Sequence, residues 1–349
     1  MKKGFAILML AVCLGLSGCR TQELRLFTIV TAMAIDCDDE GYIITVESAG
    51  SRRGDGTDIK PQIFRGTGET ISECLSDIQR QAGRYPYLRH TALMVLSQRA
   101  AEEKLENILD YIINEHDVRL NTRIMMTKGR GGELFNDEEY QSQRILRAST
   151  SGAVTSTTAD VLLEDLLYNI YADGADGYMP LTSGERTEGI ALLDGFTPSG
   201  ELDARLVPAF LMMNGLDCRG SITVRQDRKS FSFRIIGYKC RRSIKLSGGR
   251  PDVTFSLDVD LKAEDRLTGP ESLYEGAVGL RLEEDMRAVI TAMAENGSDA
   301  LGIGQDICRY DNKRWKAAEP VWKELLSKAE ITADVTASID STGRSKEEG

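Results

Sequence analysis

The chain has 349 residues, of which 54 are acidic and 43 are basic, giving a net charge of −11. Its 41% apolar and 6% aromatic residues are typical of a folded protein, and its length suggests two or three domains. The excess of acidic residues disfavours nucleic acid as a partner, because phosphate contacts need a basic face. The only two histidines, His90 and His116, are too few for most histidine metal sites and disfavour a histidine-centred catalytic triad.

The first eighteen residues have the form of a secretory signal. Lys2 and Lys3 precede an apolar run over residues 5–16, which is too short to remain as a membrane-spanning helix. No later stretch approaches the length of a transmembrane segment. The sequence therefore predicts a signal peptide over residues 1–18 and a mature chain beginning at residue 19.

Residues 16 to 19, Leu16-Ser17-Gly18-Cys19, resemble the bacterial lipobox. In that motif the cysteine thiol takes an S-diacylglyceryl group and signal peptidase II cuts just before the cysteine. The amino group that the cut frees can then take an N-acyl group. We therefore expect cleavage between Gly18 and Cys19, lipid on Cys19, and a mature charge of −13 once two lysines leave with the signal. Two acyl chains suffice for stable attachment, so the sequence predicts a protein anchored to the extracytoplasmic face of a membrane.

Five further cysteines follow, and none of them forms a C-x-x-C pair. These are Cys37, Cys74, Cys218, Cys240 and Cys308. Their spacing suits neither a zinc ribbon nor a disulfide framework, so we expect most of them to be small buried hydrophobes. A disulfide between Cys218 and Cys240 across a hairpin is the alternative.

Hydrophobic periodicity predicts a first α/β domain over residues 19–130. Two strands, at 26–35 and 42–47, are joined by an acidic turn and form a hairpin. A helix beginning near Thr70, a strand at 91–97, a helix around 105–112 and a strand at 122–127 follow. The predicted order is β-β-α-β-α-β.

A small middle domain is predicted over residues 131–212. It begins with a polar stretch. The segment 148–159 is rich in Ser, Thr and Ala, and we interpret it as a flexible crossing. An amphipathic helix over 161–170 and extended pieces at 178–181 and 187–193 follow.

Beyond residue 213 the apolar period changes to two, which predicts an antiparallel sheet with helices packed on it. The elements are a hairpin over 222–235, a strand at 253–261, a helix over 270–295, a shorter helix at Trp322 and a strand at 331–339. This third domain covers 213–341, and 342–349 is a polar tail. The predicted fold class is α+β, with three consecutive domains, each a β-sheet flanked by α-helices, after a cleaved lipoprotein signal peptide.

One pattern suggests a metal site. Asp36, Asp38 and Glu40 alternate in the first hairpin turn and Glu47 follows at the twelfth position, close to an EF-hand loop. Both flanks are strands, whereas calcium loops of this type lie between helices. We therefore interpret the segment as a solvated hairpin turn and expect no metal.

Two glycine motifs also fail as ligand sites. A dinucleotide fingerprint that starts at Gly302 would need glycine or alanine at its last position, where the chain has Ile307. The segment Gly129-Arg130-Gly131-Gly132 lacks the spacing and the Lys-Ser/Thr of a phosphate loop. Both are interpreted as turns. The sequence nominates no catalytic residue and no cofactor.

Several segments together resemble the spore germination Ger(x)C lipoproteins, the C subunits of nutrient germinant receptors. The opening after the lipobox, residues 23–36, is similar to the family's "ELN-x-LAIV-x-ALGID". Further matching blocks, in family order, are Arg89-His90-Thr91, residues 117–122, 128–129, 200–202 and 299–304, a tryptophan-bearing helix and an alternating last strand. The blocks are individually short, but their order spans nearly all of the mature chain.

The resemblance implies a three-domain α+β protein tethered to the outer face of the spore inner membrane. It also implies assembly with an integral A subunit and a permease-like integral B subunit, and no catalysis. We therefore predict a non-enzymatic lipoprotein subunit of a germinant receptor, needed for nutrient-triggered spore germination. A solute-binding lipoprotein of a transporter is the alternative, although such proteins have two βαβ-rich lobes, and an extracytoplasmic hydrolase is a third.

Overall fold

The computed structural model describes residues 26–50, 60–115, 117–247 and 250–340. Its strands are β1 (Phe27–Asp38), β2 (Gly41–Ser48), β3 (Gln62–Gly68), β4 (Tyr85–Tyr87), β5 (Leu93–Ser97), β6 (Arg123–Thr127), β7 (Tyr178–Thr182), β8 (Thr187–Asp194), β9 (Thr197–Leu202), β10 (Ser221–Gln226), β11 (Lys229–Ser247), β12 (Arg250–Ala263) and β13 (Glu330–Asp340). Its α-helices are α1 (Ile71–Ala82), α2 (Gln98–Asn114), α3 (Gln141–Thr155), α4 (Leu163–Tyr171), α5 (Val207–Met213), α6 (Glu271–Glu295), α7 (Ile303–Tyr310), α8 (Asn312–Ala318) and α9 (Trp322–Ser327).

The first sheet has the strand order β3-β2-β1-β5-β6-β7-β8-β9, and β4 pairs with the start of β1. Strands β1, β5 and β6 run parallel, and β7 joins β6 in the same direction at the pair Met126 and Leu181. Strands at the two ends of the sheet are antiparallel hairpins. We call the edge where β1, β5 and β6 begin the amino edge, and the edge where they end the carboxyl edge.

The central strands are buried on both faces, which explains their nearly continuous apolar sequence. In β1, Met33 and Ile35 belong to the larger core, which also contains the buried side of α2. Ala32 and Ala34 face the opposite way, into a smaller core that includes Ile145 of α3. The small residues on this second face let the crossover after β6 pack closely on the sheet.

Local signals in the sequence set both ends of α1, and its start at Thr70 is as predicted. The Thr70 hydroxyl accepts a hydrogen bond from the Glu73 N–H at 3.2 Å, which caps the helix at its first turn. Gly83 ends it in the left-handed conformation with φ of 65°, which a glycine adopts without steric cost. These two residues confine α1 to the segment between β3 and β4.

The second sheet has the order β10-β11-β12-β13, and α6 packs on one of its faces. The prediction of an antiparallel sheet is wrong for one pair, because β13 runs parallel to β12 from Asp252 opposite Glu330 to Lys262 opposite Asp340. The connection between these strands contains α6 to α9 and returns the chain to the same end of the sheet, which is what a parallel pairing requires.

Two further differences concern the middle of the chain. The segment 148–159, predicted as a flexible crossing, continues α3 as far as Thr155. The strands of the first and middle predicted domains lie in one sheet, so the described residues form two sheets where three were expected. The α+β class and the helices flanking the sheets are as predicted, whereas the division into 19–130, 131–212 and 213–341 stays a prediction.

Candidate functional site

The residues predicted to carry the lipid anchor lie outside the described residues. Leu16, Ser17, Gly18 and Cys19 all precede residue 26, so cleavage and acylation at Cys19 stay predictions. Within the described part of the chain, no helix is both long and apolar enough to cross a membrane.

The alternative disulfide is wrong, because Cys218 and Cys240 are both free thiols. Cys37, Cys74 and Cys218 are buried, as expected for cysteines that serve as small core residues, while Cys240 and Cys308 are partly exposed. Burial raises the pKa of the Cys74 thiol to about 11, so it stays protonated and poorly nucleophilic.

A cleft of about 620 Å³ opens at the carboxyl edge of the first sheet, where β6 and β7 end. Its volume lies in the range typical of small-molecule sites, and crevices outside the carboxyl ends of parallel strands are a common place for them. It is lined by Thr127, Lys128, Gly129, Arg130, Glu133, Leu134, Leu181, Thr182, Ser183, Arg186, Glu188, Gly189, Glu201, Leu202, Asp203 and Ala204.

Two ion pairs lie among the charged groups of the cleft. The Lys128 Nζ lies 2.8 Å from the Glu201 Oε2, joining β6 to β9, and Arg186 lies 3.8 Å from Glu188. These side chains are exposed, so each pair contributes little to stability. The described residues that line the cleft include the hydroxyl groups of Thr127 and Ser183 and the Lys128 ammonium, and none of them is a histidine or a cysteine.

One wall of the cleft is held by a buried carboxylate. Asp36, at the end of β1, is 2% exposed, and its two oxygens accept hydrogen bonds from the Gly131 N–H at 2.7 Å and the Gly132 N–H at 2.9 Å. A Cβ on Gly132 would lie 2.5 Å from the Thr45 Oγ1, so only glycine lets the backbone come this close. Asp36 thus anchors the 3₁₀ turn Gly131–Leu134, which lines the cleft.

A second buried carboxylate holds α3 against the same strands. Glu47 in β2 is fully buried and accepts hydrogen bonds from the Thr31 hydroxyl at 2.7 Å, from the Ser142 N–H at 3.0 Å and from the Ser142 hydroxyl. Together with Asp36, Glu47 was a candidate ligand in the calcium-like pattern. Both side chains are instead engaged by backbone N–H and hydroxyl groups. The prediction of a hairpin is confirmed, whereas the expectation that these carboxylates are solvated is wrong for Asp36 and Glu47, because both are buried.

A third buried carboxylate lies in the connection that follows α6. Asp299 is 2% exposed and follows α6. Its Oδ1 accepts a hydrogen bond from the Ile303 N–H at 2.9 Å, and its Oδ2 accepts from the Gly304 N–H at 2.8 Å and the Trp322 Nε1–H at 2.9 Å. The carboxylate therefore fixes the start of α7 and the side chain of α9 in one place.

The loop before β7 completes this junction from the side of the first sheet. Asp176 accepts hydrogen bonds from the Gly195 N–H and the Asp299 N–H, both at 2.8 Å, and its own N–H donates to the Asp299 carbonyl. The Gly174 carbonyl accepts from the Gln305 N–H at 2.7 Å. The block 299–304 singled out in the sequence is thus a structural junction.

Ionisation of Asp299 makes a testable contribution to stability. Burial raises its pKa from 3.8 to about 6, against the opposing effect of the three donated hydrogen bonds. Between pH 3.8 and about 6, Asp299 holds a proton in the folded chain that it releases in the unfolded chain. The free energy of unfolding contributed by this group is therefore present below about pH 4 and falls as the pH rises through 6. We expect the difference in urea-unfolding free energy between the parent chain and Asp299→Asn to shrink as pH rises through this window, and a pH-independent difference contradicts it.

Comparisons with known proteins agree with this fold and these blocks. The family model of the spore germination protein N-terminal domain matches residues 20–183. The family model of the spore germination B3/GerAC-like C-terminal domain matches residues 188–343. Spore germination protein KC of Bacillus subtilis (strain 168) is 23% identical over 390 aligned residues, covering 97% of this chain and 95% of the relative. The crystal structure of the GerBC protein superposes with a TM-score of 0.59 at 15% identity, over 88% of this chain and 96% of that one, which shows the shared fold.

The chain is therefore a two-sheet α+β protein of the spore germination class. It belongs to the Ger(x)C family, as the sequence blocks predicted. Sequence reasoning missed the roles of Asp36, Glu47 and Asp299, because their partners lie far away in the chain or are backbone groups. The one available signal for Asp299 was its place in a family block followed by a tryptophan-bearing helix.

Proposed function

We propose that the chain is a non-enzymatic lipoprotein subunit of a spore germinant receptor, held by lipid on Cys19 at the outer face of the spore inner membrane. The observation that carries the proposal is the position of the family match, which begins at residue 20, directly after the lipobox cysteine. Its partners in this proposal are an integral A subunit and a permease-like integral B subunit, and its role is to support nutrient-triggered germination.

The physical role of the anchor in this proposal is to raise the local concentration of the two-sheet domain beside the integral subunits. A short flexible tether gives effective concentrations in the millimolar range, so a weak protein contact becomes a stable one. The cleft combines apolar side chains with a few charged and hydroxyl groups, a composition typical of binding sites, and this supports a binding role in the proposal.

The proposal is tested by Cys19→Ala in a sporulating host. We expect the variant to leave the membrane fraction of spores and to slow nutrient-triggered germination by about tenfold or more, because the tether no longer concentrates it. Membrane fractionation, mass spectrometry of the mature amino-terminal peptide and the loss of optical density on nutrient addition are the measurements.

Cys13→Ala is the matched control, because Cys13 lies in the apolar part of the signal and is removed with it. It should leave membrane attachment and germination unchanged. If Cys19→Ala spores keep the protein in the membrane fraction and germinate at the parent rate, anchoring through Cys19 is not how this subunit acts.

A further inference from the structure

The amino edge of the first sheet collects large apolar side chains that are exposed to solvent. Leu26 is 60% exposed and immediately precedes β1, and Tyr85 is 43% exposed and lies in β4 beside the start of β1. Leu120, just before β6, is 45% exposed, and Ile113, in the last turn of α2, is 49% exposed. We call these four side chains, with Arg84 and Arg119, the amino-edge patch.

Topology brings these residues to one edge. Because β1, β5 and β6 are parallel, the residues that precede them lie at the same side of the sheet. Helix α2 follows β5 and leads into β6, so it runs back from the carboxyl edge and ends near the start of β6. The cleft described above lies at the opposite edge.

Aromatic packing fixes the centre of the patch. The ring of Phe27 packs edge-on against Tyr85 with centroids 6.2 Å apart and lies 5.0 Å from Tyr87. Burial, and then the carboxylates of Glu115 and Asp117, raise the pKa of Tyr85, so its hydroxyl stays neutral. A tyrosine with a packed ring and an exposed polar tip suits a boundary between apolar and wet surroundings.

The charge of this edge differs from that of the chain as a whole. Three arginines, Arg84, Arg89 and Arg119, are exposed there, and the carboxylates beside them are Glu115, Asp117 and Glu164, whose N–H donates to the Leu120 carbonyl. Arg89 pairs with Asp117 at 2.8 Å, whereas neither Arg84 nor Arg119 has an ion pair within the described residues. In a chain of net charge −11, two unpaired guanidinium groups beside exposed apolar side chains favour an anionic surface as the partner.

The position of Cys19 supplies the identity of that surface. Leu26 is seven residues beyond Cys19, and a fully extended chain of that length spans at most about 25 Å. We propose that the amino-edge patch lies on the headgroup region of the bilayer that holds the anchor, with tyrosine and leucine at the interface and Arg84 and Arg119 on anionic phosphates. This inference rests on the proposed lipid anchor and adds an orientation: the strands stand on the membrane, and the cleft opens away from it.

The patch is tested on a chain that cannot be acylated, so the result does not depend on Cys19. Residues 19–349 carrying Cys19→Ser are mixed with vesicles of phosphatidylglycerol and phosphatidylcholine in equal parts, and binding is measured by flotation. We expect binding that weakens at high salt and falls about tenfold in the double variant Arg84→Glu/Tyr85→Ser. Circular dichroism and the urea midpoint of each variant report on folding.

Arg225→Glu/Ile236→Ser is the matched control, since Arg225 is exposed and Ile236 is 60% exposed, and both lie in strands of the second sheet. It should change binding less than twofold. The proposal is overturned if the two double variants lose vesicle binding equally, or if Arg84→Glu/Tyr85→Ser binds vesicles like the parent chain. It is also overturned if the parent chain does not float with vesicles at about 1 mM lipid, the effective concentration that a short tether provides. If Arg84→Glu/Tyr85→Ser binds vesicles normally but no longer co-purifies with integral membrane subunits, the patch is a protein contact instead.

Discussion

Replacing Asp299 with alanine is expected to lower the free energy of unfolding by about 3 to 4 kcal/mol. The change leaves three donors without their acceptor, the N–H groups of Ile303 and Gly304 and the indole N–H of Trp322. Each orphaned buried donor costs about 1 to 3 kcal/mol, and relief of the buried carboxylate offsets part of that sum. Because Trp315 and Trp322 are the only tryptophans, urea unfolding followed by their fluorescence reports directly on this junction.

Two companion variants separate the causes. Trp322→Phe keeps a ring against Trp315 but removes one donor, so it should cost less than Asp299→Ala. Asp334→Ala, on the exposed side of β13, should change stability by less than about 0.5 kcal/mol. If Asp299→Ala costs no more than Asp334→Ala, the carboxylate does not hold α7 and Trp322 in place.

The sequence was most informative where the signal is local. The turn between β1 and β2, the start of α1 near Thr70 and the alternation of β12 each depend on residues within a few positions, and each prediction is confirmed. The helix over 271–295 is similar, because its apolar positions repeat with the helical period and Pro270 stands just before its first turn.

Two of the wrong predictions have a common cause, which is that composition alone does not show where a small residue serves close packing. In the segment 148–159, Ser149 and Gly152 lie on the buried side of α3. A Cβ on Gly152 would come within 2.6 Å of the Thr187 carbonyl oxygen, so the small residue serves a close helix-to-sheet contact. Gly304, read as a turn, likewise has no room for a Cβ, which would lie 2.7 Å from the ring of Trp315.

The candidate site was beyond sequence reasoning for a different reason. Asp36 and Gly131 are 95 positions apart, and Asp176 and Asp299 are 123 apart, so no spacing rule connects them. Acidic residues in a hairpin turn look solvated when only neighbours are considered, and the sequence does not show which carboxylate will face a backbone N–H. The cleft depends on these long-range contacts, whereas the lipobox is local and could be recognised without them.

Loss of Asp36, the buried carboxylate beside the cleft, is the second change that should strongly lower stability. Asp36→Ala should lower the free energy of unfolding by about 2 to 3 kcal/mol, because the Gly131 and Gly132 N–H groups lose both acceptors in a buried place. Amide hydrogen exchange should accelerate locally over 129–135, since this turn is fixed to β1 mainly through that side chain.

The control for Asp36→Ala comes from the same hairpin. Asp38 accepts a hydrogen bond from the Glu40 N–H at 3.0 Å in the exposed turn, so Asp38→Ala should cost less than about 1 kcal/mol and leave exchange over 129–135 unchanged. Calcium should stabilise neither the parent nor the variants, because the Asp36 oxygens are already engaged by backbone donors. Calcium-dependent stabilisation lost in both aspartate variants would instead make this turn a metal site. Since Glu133 and Leu134 line the cleft, faster exchange in Asp36→Ala would also show that a buried carboxylate on β1 sets the shape of its wall.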